Sequence, residues 1–267
     1  MKRKSRLDAL LVERGLAPSR EKAKALVMAG QVYTGTERLD KPGMPCPPDL
    51  TLAVRGDPQP FVSRGGLKLA RAVAEFALDF TGAVVADIGA STGGFTDCVL
   101  QNGARRVHAV DVGYGQLDWR LRQDERVRCL ERTNARYLTE DSLGEKVDFA
   151  VCDVSFISVT KILPALRRVL KESGQAVVLI KPQFEAGRAH IGKKGVVKDP
   201  RVHAEVIRAV LTAAESEGFF ALGLTVSPVR GPEGNAEFLA WLGLDGANGF
   251  DWRGAADGVV SRAADSV

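Results

Sequence analysis

Four charged side chains stand where a reaction could be run. Asp153 directly follows the apolar run VDFAVC, and Lys181 directly follows AVVLI. Glu237 precedes FLAWL, and Lys68 lies within SRGGLKLARAVAEF. A lysine that ends a buried apolar strand is costly unless it is paired. Asp153 and Glu237 are the acids that could pair it. A purely structural ion-pair cluster would use the same residue types. Their location at strand ends, where open α/β sheets gather their reactive groups, favours chemistry.

A second constellation follows the strand VVADI, which contains Asp87. The loop Gly89-Ala90-Ser91-Thr92-Gly93-Gly94 consists of small residues, which let a ligand come close to the backbone. It departs from the dinucleotide fingerprint G-x-G-x-x-G, and no lysine follows it as in a phosphate-binding P-loop. Asp111 ends the next strand, VHAVD, where a ribose-binding carboxylate would sit. On these residues alone a nicotinamide dehydrogenase stays open, as does a strand-to-helix turn without a ligand.

The elements that must position these groups alternate. VVADI, VHAVD, VDFAVCD and AVVLIK are four apolar strands separated by helical stretches. A helix around residues 201–217 leads to FFALGLTVSPV and then AEFLAWL. This order implies a mostly parallel sheet with helices on both faces. Asp153 and Lys181 then follow its third and fourth strands. The last strand should run antiparallel, bringing Glu237 to the same edge. Ser63 or a neighbour caps the helix that carries Lys68.

The front of the chain differs. In SRLDALLVERG, Leu7, Leu10 and Leu11 share one helical face. Ser19 can cap a second helix, EKAKALVMAG, with Ala23, Leu26 and Val27 inward. Residues 1–60 hold eleven Lys/Arg against seven Asp/Glu, whereas the remaining residues hold 26 of each. The net charge of +4 therefore lies wholly in this small module, which suits a polyanionic partner, although a solvated basic face would look similar. Two prolines and a glycine in RGDPQPF mark a linker.

Composition narrows the class. With 267 residues, 45% hydrophobic and 26% charged, the chain reads as globular and not as disordered or fibrous. No apolar run reaches the length of a membrane span, and the basic start lacks the apolar core of a signal peptide. The four cysteines form no C-x-x-C pair, so neither a disulfide framework nor a zinc site is expected, and no metal site is evident. The expectation is a cytoplasmic monomer without membrane association.

Two resemblances sharpen this reading. Arg6-Leu7-Asp8, Ser19-Arg20-Glu21-Lys22-Ala23 and Gly30-Gln31-Val32 resemble the S4 RNA-binding domain over about residues 5–55. The large domain resembles FtsJ-type ribose 2′-O-methyltransferases. The whole chain resembles the TlyA family of bacterial ribosomal RNA methyltransferases, some of which are named haemolysins. The carrying segments are SRGGLK (63–68), DIGASTGGFT (87–96), DVGYGQL (111–117), DVSFIS (153–158), IKPQFE (180–185) and GNAEF (234–238). Gln59-Pro60-Phe61 departs from members that carry an Arg and a Trp before the Val-Ser-Arg segment, which puts coupling through the linker in question.

The resemblance implies an S4-like domain at 1–56, a linker at 57–62 and a Rossmann-like class I methyltransferase domain at 63–243. That domain would hold a seven-stranded, mostly parallel sheet with the last strand antiparallel. Residues 244–267, rich in Gly, Ala, Asp and Ser, read as a loosely ordered tail. The family's Lys-Asp-Lys-Glu tetrad falls on Lys68, Asp153, Lys181 and Glu237. S-adenosyl-L-methionine is the implied donor. Asp87, Gly89, Ala90, Ser91, Thr92, Gly93, Gly94, Phe95, Thr96, Asp111 and Asn134 are its implied contacts. The loop would run beneath the methionine part, with Asp111 on the ribose.

The implied partner is ribosomal RNA or a ribosomal subunit. Lys4, Arg6, Arg20, Lys22, Lys24 and Arg64 are implied RNA contacts. So are Arg188, Lys193 and Lys194, with Lys198, in a glycine-rich basic loop read as mobile (185–200). The reaction implied is methylation of a ribose 2′-hydroxyl, of a cytidine in the small- or large-subunit RNA or both. Lys181 would contact the oxygen. Burial would favour a neutral, basic lysine; the nearby carboxylates would favour a cation that orients the oxygen and stabilises its charge. Both roles stay open at this stage. Three rivals compete: a base-nitrogen methyltransferase, a ribosome-assembly protein with a vestigial site, and a membrane-lytic haemolysin. The first lacks its Asp/Asn-Pro-Pro-aromatic motif at Asp153-Val154-Ser155-Phe156. The intact tetrad argues against the second, and the absence of a spanning segment or long amphipathic helix argues against the third.

Overall fold

The structure, a computed structural model, describes residues 4–55, 60–192, 194–246 and 250–265. It divides into two units, Met1–Pro60 and Phe61–Val267. Lys193, an expected RNA contact, and linker positions 57–59 lie outside the described residues.

In the first unit, helices α1 (Leu7–Glu13) and α2 (Arg20–Met28) pack through the leucine face read from the sequence. Leu7, Leu10, Leu11, Ala23 and Val27 are buried together. The Ser19 hydroxyl accepts from the Lys22 amide at 3.2 Å, the N-cap bond expected of it. Short antiparallel pairs complete the unit: Ser5–Arg6 with Pro45–Cys46, and Val32–Thr34 with Glu37–Arg38 and Ala53–Val54.

The second unit begins with α3 (Gly65–Phe76) and is built on one sheet. Its strands are β1 (Val84–Ile88), β2 (Arg106–Val110), β3 (Val127–Leu130), β4 (Val147–Cys152), β5 (Leu170–Ile180), β6 (Phe220–Val226) and β7 (Phe238–Gly243). The order is β6-β7-β5-β4-β1-β2-β3, and only β7 runs against the others. Alternate residues of β1 enter different cores. Val84, Ala86 and Ile88 join one face and Val85 the other, as the two-residue period requires. Each fully buried aliphatic side chain contributes about 1.5–3 kcal/mol relative to exposure.

Three sequence expectations need correction. The edge strand β3, VRCL, escaped the reading because four half-buried residues carry little periodicity, so Asp153 follows the fourth strand and Lys181 the fifth. The N-cap of α3 is Arg64 and not Ser63, and no side-chain cap bond forms there among the described residues. Residues 252–265 are not a loose tail. They form a helix, α7, whose Trp252, Ala256, Val259, Val260 and Ala263 are buried in the core beside helix Pro200–Ser216 (α6) and β6. Its composition looks tail-like because small alanines share the packing with only Trp252, Val259 and Val260.

Candidate active site

The chain runs β1-β2-β3 outward and crosses back to β4, so the switch point falls between β1 and β4, and Gly89, Asp111, Asp153 and Lys181 follow the carboxyl ends of β1, β2, β4 and β5 around it. The rung Ile180–Phe238 makes Lys181 and Glu237 the next facing pair on β5 and antiparallel β7. Lys68 comes from the first turn of α3 on its buried face. The four sequence-selected residues therefore meet.

Their contacts form a chain of alternating charge. Lys68 Nζ lies 2.5 Å from Glu237 Oε2 and 3.6 Å from Asp153 Oδ2, while Lys181 Nζ lies 2.5 Å from Asp153 Oδ1. The Lys181–Asp153 contact is a close ion pair off hydrogen-bond alignment. Lys181 Nζ also donates to the Ser155 hydroxyl at 2.9 Å. The side chains are 11% (Lys68), 19% (Asp153), 8% (Lys181) and 0% (Glu237) exposed, so two cations and two anions balance inside a largely dry wall. Gly231 lies against Glu237; a Cβ there would fall 2.2 Å from Oε1. Neither Ser155 nor Gly231 was singled out from sequence. Ser155 sits within the DVSFIS segment and could have been found by asking what else a lysine at that edge would bond.

Two adjoining cavities meet at this wall. One, of about 320 Å³, is lined by the tetrad with Arg64, Ser155 and Gly231. The other, about 480 Å³, is lined by Asp111, Gln116, Thr133, Asn134, Phe156 and Ile162, among others. Gly89, Ser91, Asp153 and Ser155 belong to both. Of the residues expected to hold the donor, Ala90, Thr92, Gly94 and Phe95 line the first, and Asp111 and Asn134 the second. Asp87, Gly93 and Thr96 line neither.

Asp87 and Thr96 stand behind the loop and brace it. Thr96 Oγ1 donates to Asp87 Oδ2 at 2.6 Å, while buried Oδ1 has no hydrogen-bond partner. Burial pushes the Asp87 carboxyl up to about 7, against the opposing pull of the Thr96 bond. Gly89, at φ +82°, packs under the Asp153 carbonyl, where a Cβ would come within 2.6 Å. Only glycine allows both that angle and that approach.

The small-residue loop was expected to offer its amides to a carboxylate. Several are already used: Gly89 and Ala90 donate to Val110, Gly93 to Ala90, and Ser91 to Asp111 Oδ2 at 2.8 Å. The donors left to an incoming carboxylate are the Gly94 and Phe95 amides in the first turn of α4 (Gly94–Gln101), which have no intrahelical acceptors, the Thr96 N–H being turned to the Asp87 carboxylate. Asp111 also accepts from Gly113 N at 2.7 Å, which fixes its carboxylate with lone pairs remaining for a pair of hydroxyls. These groups fit an amino acid–nucleoside donor: an anion-accepting helix start, a ribose acceptor and a half-apolar cavity. Asn134 Oδ1 accepts from Arg136 N at 3.1 Å, which leaves its amide N–H₂ as a donor.

Phe156 stands out at the rim. It is 93% exposed, holds φ +64°, and its ring lies 5.3 Å from that of Phe184. A bulky residue at positive φ is a strained conformation, found where function requires it.

The expected RNA contacts scatter over exposed surface. Lys4, Arg6, Arg20, Lys22 and Lys24 are exposed on the first unit; Arg64, Arg188, Lys194 and Lys198 on the second. Arg6 and Arg20 are held: Arg6 donates to Asp8 at 2.8 and 3.1 Å, and Arg20 at 3.4 Å. The basic loop expected to be mobile is instead closed by hydrogen bonds, Gly192 N to Val196 O at 3.0 Å and Gly195 N to Gly192 O at 2.8 Å.

Comparison with known proteins agrees with this geometry. The S4 domain family matches residues 5–52, and the FtsJ-like methyltransferase family matches residues 61–244. The chain is 44% identical over 260 residues, 97% of each chain, to the 16S/23S rRNA (cytidine-2'-O)-methyltransferase TlyA of Mycobacterium tuberculosis. It is 37% identical to Hemolysin A of Brachyspira hyodysenteriae, covering 88% of this chain and 98% of that one. A solved structure from Streptococcus thermophilus that carries a hemolysin name superposes with a TM-score of 0.79 at 46% identity, covering 100% and 98% of the two chains. The donor of the matched family is S-adenosylmethionine. With the family matches and the strand order in agreement, this chain belongs to the FtsJ-like methyltransferases, with an S4 domain at its front.

Proposed function

We propose that this protein methylates a ribose 2′-hydroxyl of ribosomal RNA, on a cytidine of the small or large subunit, acting as a monomer in the cytoplasm. S-adenosylmethionine supplies an electrophilic methyl group. The observation that carries the reading is Lys181, 8% exposed, paired to Asp153 where the two cavities adjoin.

An ammonium has three N–H donors. Among the described residues Lys181 donates one to Ser155 and stands as an ion pair against Asp153, which leaves a donor for a ribose oxygen. Held this way, Lys181 acts as a cation: it aims the oxygen lone pair at the methyl group and stabilises negative charge developing as the hydroxyl proton departs. Asp153 fixes Lys181, and Glu237 fixes Lys68 beside Asp153. Much of the acceleration comes from alignment of oxygen, carbon and sulfur. Arg64 lines the tetrad cavity and can meet a phosphate, and Phe156 offers a ring face to an unstacked base. The arginines of the first unit supply docking contacts to the RNA backbone.

The test is incubation with radiolabelled S-adenosylmethionine and unmodified ribosomal subunits, followed by alkaline digestion. Label in an alkali-resistant dinucleotide is the expected result and identifies the subunit. Label in ordinary mononucleotides would mean base methylation and would overturn the role given to Lys181.

A further inference from the structure

A cavity larger than either of the two at the tetrad lies away from it. About 760 Å³ lies between the basic loop at 192–198, the turn at 230–236 and helix α7. Lys194, Lys198 and Arg230 line it, opposed by one carboxylate, Glu233; its apolar wall includes Val260 and Ala263. Arg230 also lines the 320 Å³ tetrad cavity, so the two spaces share a wall residue.

The basic rim is built. Val197 is buried, and both of its backbone polar groups are taken by buried side chains. Its N–H donates to Asn235 Oδ1 at 3.1 Å, and its carbonyl accepts from His203 Nε2 at 2.8 Å. Asn235 Nδ2 donates to the Gly195 carbonyl at 3.0 Å. Asn235 also accepts from Gly231 N at 2.9 Å through its own carbonyl, two residues before Glu237. Arg230 donates to Gly234 O at 3.2 Å and to Ala263 O, near the end of α7, at 3.0 Å. Burying polar side chains is costly unless their bonds are made. Here two are committed to shaping a glycine-rich surface loop, which fixes the backbone at Gly195 and Val197, between Lys194 and Lys198. An ordinary solvated loop needs no such clasp.

A space of this size suits a small ligand. Its ligand is anionic at one end and apolar at the other, and it lies next to the substrate of the tetrad. We propose that this cavity binds a nucleotide of the RNA adjacent to the methylated one, its phosphate on the Lys194–Lys198–Arg230 rim and its base against the α7 wall. The inference rests on the reading that the substrate is RNA. It makes Asn235 a positioning residue, which acts through the loop it holds, and it gives α7 a share in substrate binding.

The test uses the full chain with ribosomal subunits that lack the modification. Ala264 lines the cavity and is exposed, so Ala264→Trp fills the space with little disturbance to the core. We expect it to raise KM for the subunit by about tenfold, more than it lowers kcat, with S-adenosylmethionine affinity unchanged as the control for folding. Lys198→Ala should reduce the slope of log affinity against log salt by roughly 0.7–0.9, one phosphate contact. Asn235→Ala should move KM and the salt slope together, which a merely structural loss would not do. Wild-type KM and salt slope in all three variants would overturn the proposal. If the wild-type protein transfers no methyl group to ribose, the enzymatic reading fails separately. Anisotropy with a labelled short single-stranded RNA then decides the cavity: weaker binding by Ala264→Trp supports it, and equal binding overturns it.

Discussion

Both units bury carboxylates beside cations, and they do so in opposite senses. In the first unit Asp8 is fully buried while Arg6 and Arg20, its partners, are 52% and 57% exposed. At the catalytic edge both partners go inside: Lys68 and Lys181 are 11% and 8% exposed. An anchored arginine with its fork in water keeps donors for an outside phosphate. A lysine enclosed with its acid has few directions left to donate, and those point at a bound substrate. On the proposed function, the same ion-pair chemistry serves docking in one place and catalysis in the other, and the burial of the cation separates the two.

The strongest way to break this comparison is at the enclosed pair. Lys181→Ala should lower kcat by about 10²–10³-fold, the usual cost of losing one preorganised donor at developing charge. Donor binding, measured by calorimetry with S-adenosylmethionine, should stay near wild type because Lys181 Nζ is committed to Asp153 and Ser155 and not to Asp111 or Asn134. A large loss of donor affinity would mean that Lys181 belongs to the donor site. Glu237→Gln leaves Lys68 with Asp153 at 3.6 Å, so its effect should be smaller, roughly tenfold to a hundredfold in kcat.

The open pair should respond differently. Asp8→Asn removes the anchor from Arg6 and Arg20 without removing either cation. RNA affinity should fall about threefold to tenfold, the worth of one charge-assisted contact, with kcat at saturating RNA unchanged. An equal loss in kcat would show that the first unit does more than dock. The arginines also hold the Asp8 carboxyl down at about 2, chiefly through the Arg6 hydrogen bond. A depressed acid contributes stability above its unfolded value, near 4, and loses it as pH falls through about 2. Acid unfolding of the first unit should therefore shift to higher pH in Asp8→Asn.

The strand–loop–strand frame was legible because chemistry and periodicity coincide in it. Asp153, Lys181 and Glu237 each abut an apolar strand, and their convergence at one edge follows from topology alone. What escaped was carried by weak local signals. VRCL is too short and too exposed to read as a strand. Helix α7 packs through alanines that composition alone assigns to a tail. The clasp on Val197 comes from Asn235 and His203, 38 and 6 residues away, and no local pattern announces such a contact. Asp87 reads from sequence as a donor contact. The fold makes it a brace behind the loop, because a residue one place before a strand's end points into the core and not out of its edge.

Asp87 gives the smallest expected effect and sharpens the comparison most directly, because it is a buried carboxylate with no cation. Its carboxylate meets the hydroxyl and the backbone N–H of Thr96, and burial raises the carboxyl to about 7 against both. The sign is then opposite to that of Asp8. A raised acid contributes stability that is fully present below its unfolded value, near 4, and is lost as pH rises through about 7. Between these limits the folded protein binds the proton more tightly than the unfolded chain. Asp87→Asn keeps the shape and an acceptor for Thr96 but cannot ionise. Thermal unfolding midpoints of the second unit should therefore decline less from pH 5 to pH 8 in the variant than in the wild type. Parallel profiles would mean that Asp87 stays ionised in the folded protein, and burial without a cation would then not be what separates it from Asp8.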